Sequence, residues 1–234
     1  MKKVIIVQAR MRSKRLPGKI LKEVLGKPLL SYQLERLKRV TSVDSVVVAT
    51  STNEADDPVA NLCSSLGVLC SRGPELDVLA RYYQTACEHK ADIIARCTAD
   101  CPLIDPELVS KTIDFFTDNL SRYDYIANGR DRSFPRGMDT EVFTFATLEQ
   151  AHMESTRADE REHVTLHMYS NPEKFRCGSF HYRWTVDEQE DFDAVRAIIE
   201  KLYPDNPTFT ISDIFTLLAK HPELASINLN IQQK

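Results

Sequence analysis

A chain of 234 residues with 42% hydrophobic content is long enough to bury a full core, so a single domain over 1–234 is expected. No apolar stretch approaches the roughly 20 residues of a membrane helix, and the run after Met1 is too short for a signal peptide, which points to a cytoplasmic protein with no membrane partner. A net charge of -4 argues against a nucleic-acid partner, yet residues 1–22 hold eight Lys or Arg and no Asp or Glu, so a local anion attractor sits at one end of an acidic body.

Strand and helix signals then alternate along the chain. The β-branched runs KVIIVQA (3–9), SVVVAT (45–50) and DIIARCT (92–98) read as strands buried on both faces. Each precedes a helical pattern: PLLSYQLERLKRV (28–40), DVLARYYQTACEH (77–89) and PELVSKTIDFFTD (106–118), the last entered by Asp105 as N-cap with Pro106 at the first helical position. This rhythm predicts right-handed βαβ units, hence an α/β fold with a mostly parallel, Rossmann-like sheet and helices on both faces. From about residue 123 it changes. YDYIAN, TEVFTF and FRCGSFHYRWTV read as strands around one long polar helix at 147–170, so 123–182 is expected to add a small antiparallel arm for dimerisation. Six cysteines, at 63, 70, 87, 97, 101 and 177, lack both the density of a disulfide scaffold and a CxxC zinc pair, and are read as reduced thiols.

In such sheets the ligand lies at the carboxyl ends of the strands, where the first loop meets a phosphate. There the sequence reads QARMRSKRLPGK (8–19), with Arg10, Arg12, Lys14, Arg15 and Lys19 crowded together. The loop is neither a P-loop, which would need Gly at Ser13 and Ser or Thr at Ile20, nor a GxGxxG fingerprint. Poor in glycine, it must hold anions by side chains: Arg offers a two-pronged fork and Lys a compact charge. A triphosphate suits it, and a solvated basic loop is the plain alternative. The second constellation is acidic. Asp100 follows the strand at 92–98 and Asp187 follows RWTV. If those strands are neighbours, two carboxylates meet at one pocket edge and suit Mg²⁺, which takes one or two carboxylates plus phosphates and water. A turn at Asp100 and a capping box of Asp187 with Glu190 are the structural alternatives.

The loop QARMRSKRLPGKIL resembles the signature of the cytidylyltransferases that make CMP-activated sugar acids, the acylneuraminate enzymes among them, and most closely their SpsF-like, spore coat polysaccharide branch. Further matching segments follow in order: VVVATSTNEADDP (46–58), SRGPELDVLARYYQTA (71–86), RCTADCPLIDPELV (96–109), FPRGMDTEVF (134–143), DEREHVT (159–165) and RWTVDEQEDFDAVR (183–196). The resemblance implies a homodimeric nucleotidyltransferase that passes CMP from CTP to a small sugar acid and releases pyrophosphate. It further implies that Arg10, Arg15 and Lys19 stabilise the triphosphate, that Gln8, Ala9 and Arg72 hold the nucleotide, and that Asp100 and Asp187 bind Mg²⁺. Arg136, Asp139, Glu141, Arg161 and His163 would face the sugar or a partner subunit. Where acylneuraminate and ketodeoxyoctonate enzymes commonly carry Asn after the loop lysine, this chain has Ile20, which leaves the sugar open. Alternatives are a sugar-1-phosphate nucleotidyltransferase, a glycosyltransferase, which would carry a DxD near mid-chain that this sequence lacks, and a non-catalytic nucleotide-binding module.

Overall fold

The computed structural model describes residues 1–13, 15–131, 133–229 and 231; Lys14 of the basic loop lies outside them. The chain divides into two units, the first comprising residues 1–130 and 134–179, the second 131–133 and 180–234.

Among the described residues the first unit has nine strands: β1 (Lys3–Gln8), β2 (Glu23–Val24), β3 (Lys27–Pro28), β4 (Ser45–Ser51), β5 (Leu69–Gly73), β6 (Ile93–Thr98), β7 (Tyr125–Ala127), β8 (Glu141–Thr144) and β9 (Cys177–Ser179). Its helices are α1 (Leu29–Leu37), α2 (Asp57–Ser65), α3 (Val78–Glu88), α4 (Pro106–Asp118), α5 (Phe145–Glu154), α6 (Ala158–Glu162) and α7 (Leu166–Ser170). Seven strands form one sheet in the order β5-β4-β1-β6-β8-β7-β9, while β2 and β3 make a separate antiparallel pair. β1 lies parallel between β4 and β6, with Gln8 opposite both Ala49 and Thr98. The chain runs outward from β1 through β4 to β5 and then returns to β1's other side as β6. The strand order therefore reverses at β1, and a crevice opens beyond the carboxyl ends of β1 and β6.

The apolar runs do what their composition requires. Val4, Ile5, Ile6 and Val7 are all fully buried, and alternation sends Val4 and Ile6 into one cluster with Val47, Ile94, Leu79 and Tyr82 while Ile5 and Val7 face the opposite side. Within α4 the spacing Val109, Thr112, Ile113, Phe116 forms the buried stripe, and Asp105 caps it by accepting from the amides of Glu107 (2.8 Å) and Leu108 (3.0 Å).

After residue 123 the structure departs from the sequence expectation. The added strands extend the main sheet, and there only β8 is antiparallel to its neighbours. The expected helix at 147–170 is three, since Ser155 leaves α5 in an extended conformation and Val164 sits at φ 46° between α6 and α7. The strand expected over 175–186 is confined to Cys177–Ser179, and the following residues belong to the second unit. That unit holds α8 (Gln189–Leu202), α9 (Ile211–Lys220) and α10 (Pro222–Ala225), whose Ile198, Leu217, Leu218 and Leu224 form a core with Tyr182 and Trp184. All six cysteines are free.

Candidate active site

The basic loop leaves β1 along the sheet, since the Ala9 amide still donates to Ala49 at 3.2 Å. It then turns back on the Met11 carbonyl, which accepts from Ser13 (3.1 Å) and Gly18 (2.9 Å). Gly18 sits at φ 67°, a left-handed conformation that favours glycine, and sends Lys19 into a short helical turn. Ile20, which follows the loop lysine, is buried.

This loop and the 98–100 segment enclose a cavity of about 350 Å³. Gln8, Arg10, Arg12, Arg15 and Lys19 line it together with Thr98, Ala99, Asp100 and Glu162. Lys19 Nζ donates to Asp100 Oδ2 at 2.6 Å, and the Thr98 hydroxyl donates to Oδ1 at 2.7 Å. Burial alone would raise the Asp100 carboxyl, but these two bonds and the ammonium charge hold it below the usual aspartate range. Arg10 reaches Glu162 at 3.4 Å and Arg12 reaches Glu75 at 3.1 Å. The cations are thus balanced by exposed or half-exposed carboxylates, and a polyanion can displace such weak pairs. Beneath the cavity, buried Gln33 of α1 donates to the Thr98 carbonyl at 2.8 Å and fixes the base of the Asp100 segment.

The remaining candidates are placed as follows. Gln8 Oε1 accepts from Arg96 Nη2 at 3.2 Å, and Arg96 also pairs with Glu141. Glu141 further accepts from the Tyr125 hydroxyl at 2.6 Å and the Thr165 hydroxyl at 2.7 Å. Burial would raise this carboxyl, yet Arg96 and the two hydroxyls keep it below the ordinary glutamate range. Glu141 is therefore the centre of a buried web. Arg72 lies on β5, where it donates to Ser51 O (2.8 Å) and Asn53 O (3.1 Å) and pairs with Asp57 (2.6 Å), clasping the loop after β4. Arg161 grips Asp77, the N-cap of α3, through two nitrogens at 3.0 and 2.6 Å. Arg136 and His163 are exposed. The Asp139 carboxylate accepts from the Gly137 amide at 3.2 Å and lies over Gly129, where an added Cβ would come within 2.4 Å of Oδ1. Asp187 belongs to the second unit and accepts from Arg183 Nη2 at 2.5 Å, while the amides of Asp187 and Glu188 donate to Asp191. The helix cap there is Glu188 with Asp191, one residue later than the sequence suggested.

Two contributors escape a sequence reading. Glu162 lies between Arg161 and His163, but successive helical residues point about 100° apart, so Arg161 turns to Asp77 and Glu162 to Arg10. Arg96, the one basic residue of DIIARCT and flanked on both sides by apolar residues, is the legible sign of a buried ion pair. Cys97 is buried and its thiol is pushed up to about 12, chiefly by that burial, which suits a packing residue.

Among the described residues no group of three or more His, Cys, Asp or Glu stands ready for a metal ion. Mg²⁺ asks for less, because one or two carboxylates suffice when phosphates and water complete its shell. The hard oxygens of Asp100, at the cavity wall facing the basic loop, fit that requirement.

Comparison with known proteins agrees with this architecture. The chain is 32% identical to the spore coat polysaccharide biosynthesis protein SpsF of Bacillus subtilis, over 95% of this chain and 96% of that one. It is 35% identical to an uncharacterised Methanocaldococcus jannaschii protein, over its full length and 97% of the other. Among solved structures, a cytidylyltransferase from Leptospira borgpetersenii superposes with a TM-score of 0.75 at 34% identity, covering 100% of this chain and 99% of that one. CMP:2-keto-3-deoxy-manno-octonic acid synthetase, solved with CTP, shares the fold with a TM-score of 0.58 at 20% identity, over 86% of this chain and 99% of its own. The cytidylyltransferase family model matches residues 4–233, and the chain belongs to that family of nucleotidyltransferases.

Proposed function

We propose that this enzyme transfers CMP from CTP to a sugar acid and releases pyrophosphate, in the building of a polysaccharide or glycoconjugate. The observation that carries the reading is the cavity in which Arg10, Arg15 and Lys19 face Asp100 at the strand-order reversal. The similarity to SpsF supports the pathway. An acceptor hydroxyl oxygen bonds to the α-phosphorus in line as the bond to the departing pyrophosphate breaks and the hydroxyl proton passes to solvent, so the protein contributes position and charge and forms no covalent intermediate. When the triphosphate enters, Lys19 and Arg10 exchange Asp100 and Glu162 for phosphate oxygens and stabilise the charge that grows on pyrophosphate. Gln8, Ala9 and the Arg72-held loop border the nucleoside. Arg136, Asp139 and His163 are assigned to the acceptor side, and Glu141 and Arg161 hold its walls in place. Asp100 would hold a Mg²⁺ ion, which when bound would offset phosphate charge. The reading takes the protein to be a cytoplasmic homodimer.

The test is pyrophosphate release with each of the four nucleoside triphosphates against a panel of keto-sugar acids and sugar phosphates. Release is expected only when CTP and a sugar acid are both present. Turnover with a sugar 1-phosphate in place of the acid would replace this reading with that of a sugar-1-phosphate nucleotidyltransferase.

A further inference from the structure

The Met11 peptide is the closing point of the basic loop. Its carbonyl gathers the Ser13 and Gly18 amides, and its own N–H donates to Asp56 Oδ1 at 2.6 Å. Asp56 comes from the loop after β4, 45 residues away, and is only 2% exposed. Its other oxygen accepts from the Ser51 hydroxyl, itself fully buried. Ser51 Oγ accepts in turn from the Asn53 amide at 3.2 Å, which leaves the hydroxyl proton for Asp56. Both oxygens of this carboxylate therefore accept, one from a backbone N–H and one from a buried hydroxyl. Arg81 of α3 is fully buried, with Nη1 on the carbonyl of Pro74 at 2.6 Å and, among the described residues, no hydrogen-bond partner for Nε or Nη2. Its guanidinium is drawn down by burial, Arg10 adds to the effect, and Asp56 and Asp77 oppose it.

We propose that Asp56 is a positioning residue of the transfer reaction: through the Met11 amide it fixes the basic loop at the spacing that a triphosphate or pyrophosphate requires. The inference rests on the reading of the cavity as a triphosphate site. Asp56 does not touch the substrate. It works by tying the loop to the end of β4, and a buried carboxylate suits this because its acceptor pair is rigid.

In Asp56→Asn the side-chain oxygen can keep the Met11 N–H, but the nitrogen then donates to the Ser51 hydroxyl, whose own buried proton is left without an acceptor, and the negative charge that strengthens both bonds is lost. The experiment titrates inorganic pyrophosphate into wild type, Asp56→Asn and Ser51→Ala by calorimetry, and follows tryptic cleavage after Arg12, Arg15 and Lys19 by mass spectrometry. A dissociation constant raised about tenfold in Asp56→Asn and about threefold in Ser51→Ala, on folded protein, is expected, with faster cleavage of the loop in both. These magnitudes correspond to one lost hydrogen bond and a loosened one. Unchanged pyrophosphate affinity in Asp56→Asn, with or without a lower melting temperature, would overturn the proposal by reducing Asp56 to a stabilising contact. If Asp56→Asn does not fold, Ser51→Ala decides in the same way. Wild type that binds no pyrophosphate would refute the triphosphate reading instead; the cleavage rates then judge Asp56 separately, and equal rates in all three proteins would overturn its role.

Discussion

Lys19 and Glu141 show how differently two charged side chains act within one site. Lys19 is partly exposed and holds Asp100 directly at the cavity wall, so the solvent-accessible pair is worth little to folding while the charge is available to a ligand. Lys19→Ala, and likewise Arg15→Ala, is expected to lower turnover by at least ~10²-fold, roughly 3 kcal/mol of transition-state stabilisation, with an unchanged melting curve. Steady-state kinetics beside calorimetric melting check this, and full activity in both would return the loop to a solvated basic surface. Glu141 is the converse, buried on Arg96 with two hydroxyls. Glu141→Gln leaves Arg96 without a countercharge and is expected to cost about 3 kcal/mol. Because the folded carboxyl titrates below the ordinary range, its contribution is complete above that range and is lost as pH falls through the lower folded value. The gap in melting temperature between wild type and variant should therefore close on acidification, whereas a constant gap from neutral to acid pH would contradict the web's ionic character.

At the scale of the element, what could be read in advance was whatever is encoded locally. β1, β4 and β6 are continuous β-branched runs, and α4 announces itself by Asp105, Pro106 and a 3–4 residue apolar spacing. The segment 145–170 could not be read this way. Its breaks depend on Val164, a β-branched residue held at φ 46° while fully buried, a conformation that costs of order 1–3 kcal/mol and that neighbouring structure must enforce. Thr165, the next residue, is anchored to Glu141 from 24 positions away. The same distance effect hid the fate of Arg161, whose partner Asp77 is 84 residues upstream. The basic loop and Asp100 were legible because each directly follows an apolar strand, and Asp56 was not because its role is visible only when Met11 lies beside it. Local encoding also makes a plain prediction: Asp105→Ala should lower stability by about 1 kcal/mol through loss of the cap, with turnover per folded molecule unchanged. Chemical denaturation and steady-state assays decide it; a loss of turnover without a loss of stability would give Asp105 a part in the reaction.

For the whole molecule, family membership covers residues 4–233 and the sheet order places the crevice, so the claim that remains is that a cytidine triphosphate is what the crevice receives. A ligand bound only by the folded protein raises its melting temperature, and at equal concentration the increase grows with the logarithm of affinity. At a concentration about 100-fold above the dissociation constant the gain is roughly 2.7 kcal/mol, which for a protein of this size is a shift of about 5–10 °C. The direct measurement is therefore calorimetric melting of wild type and Lys19→Ala with CTP, UTP, ATP and GTP at equal concentration. The account predicts the largest shift with CTP and its loss in Lys19→Ala; equal shifts for all four nucleotides, or a CTP shift untouched by Lys19→Ala, would contradict it.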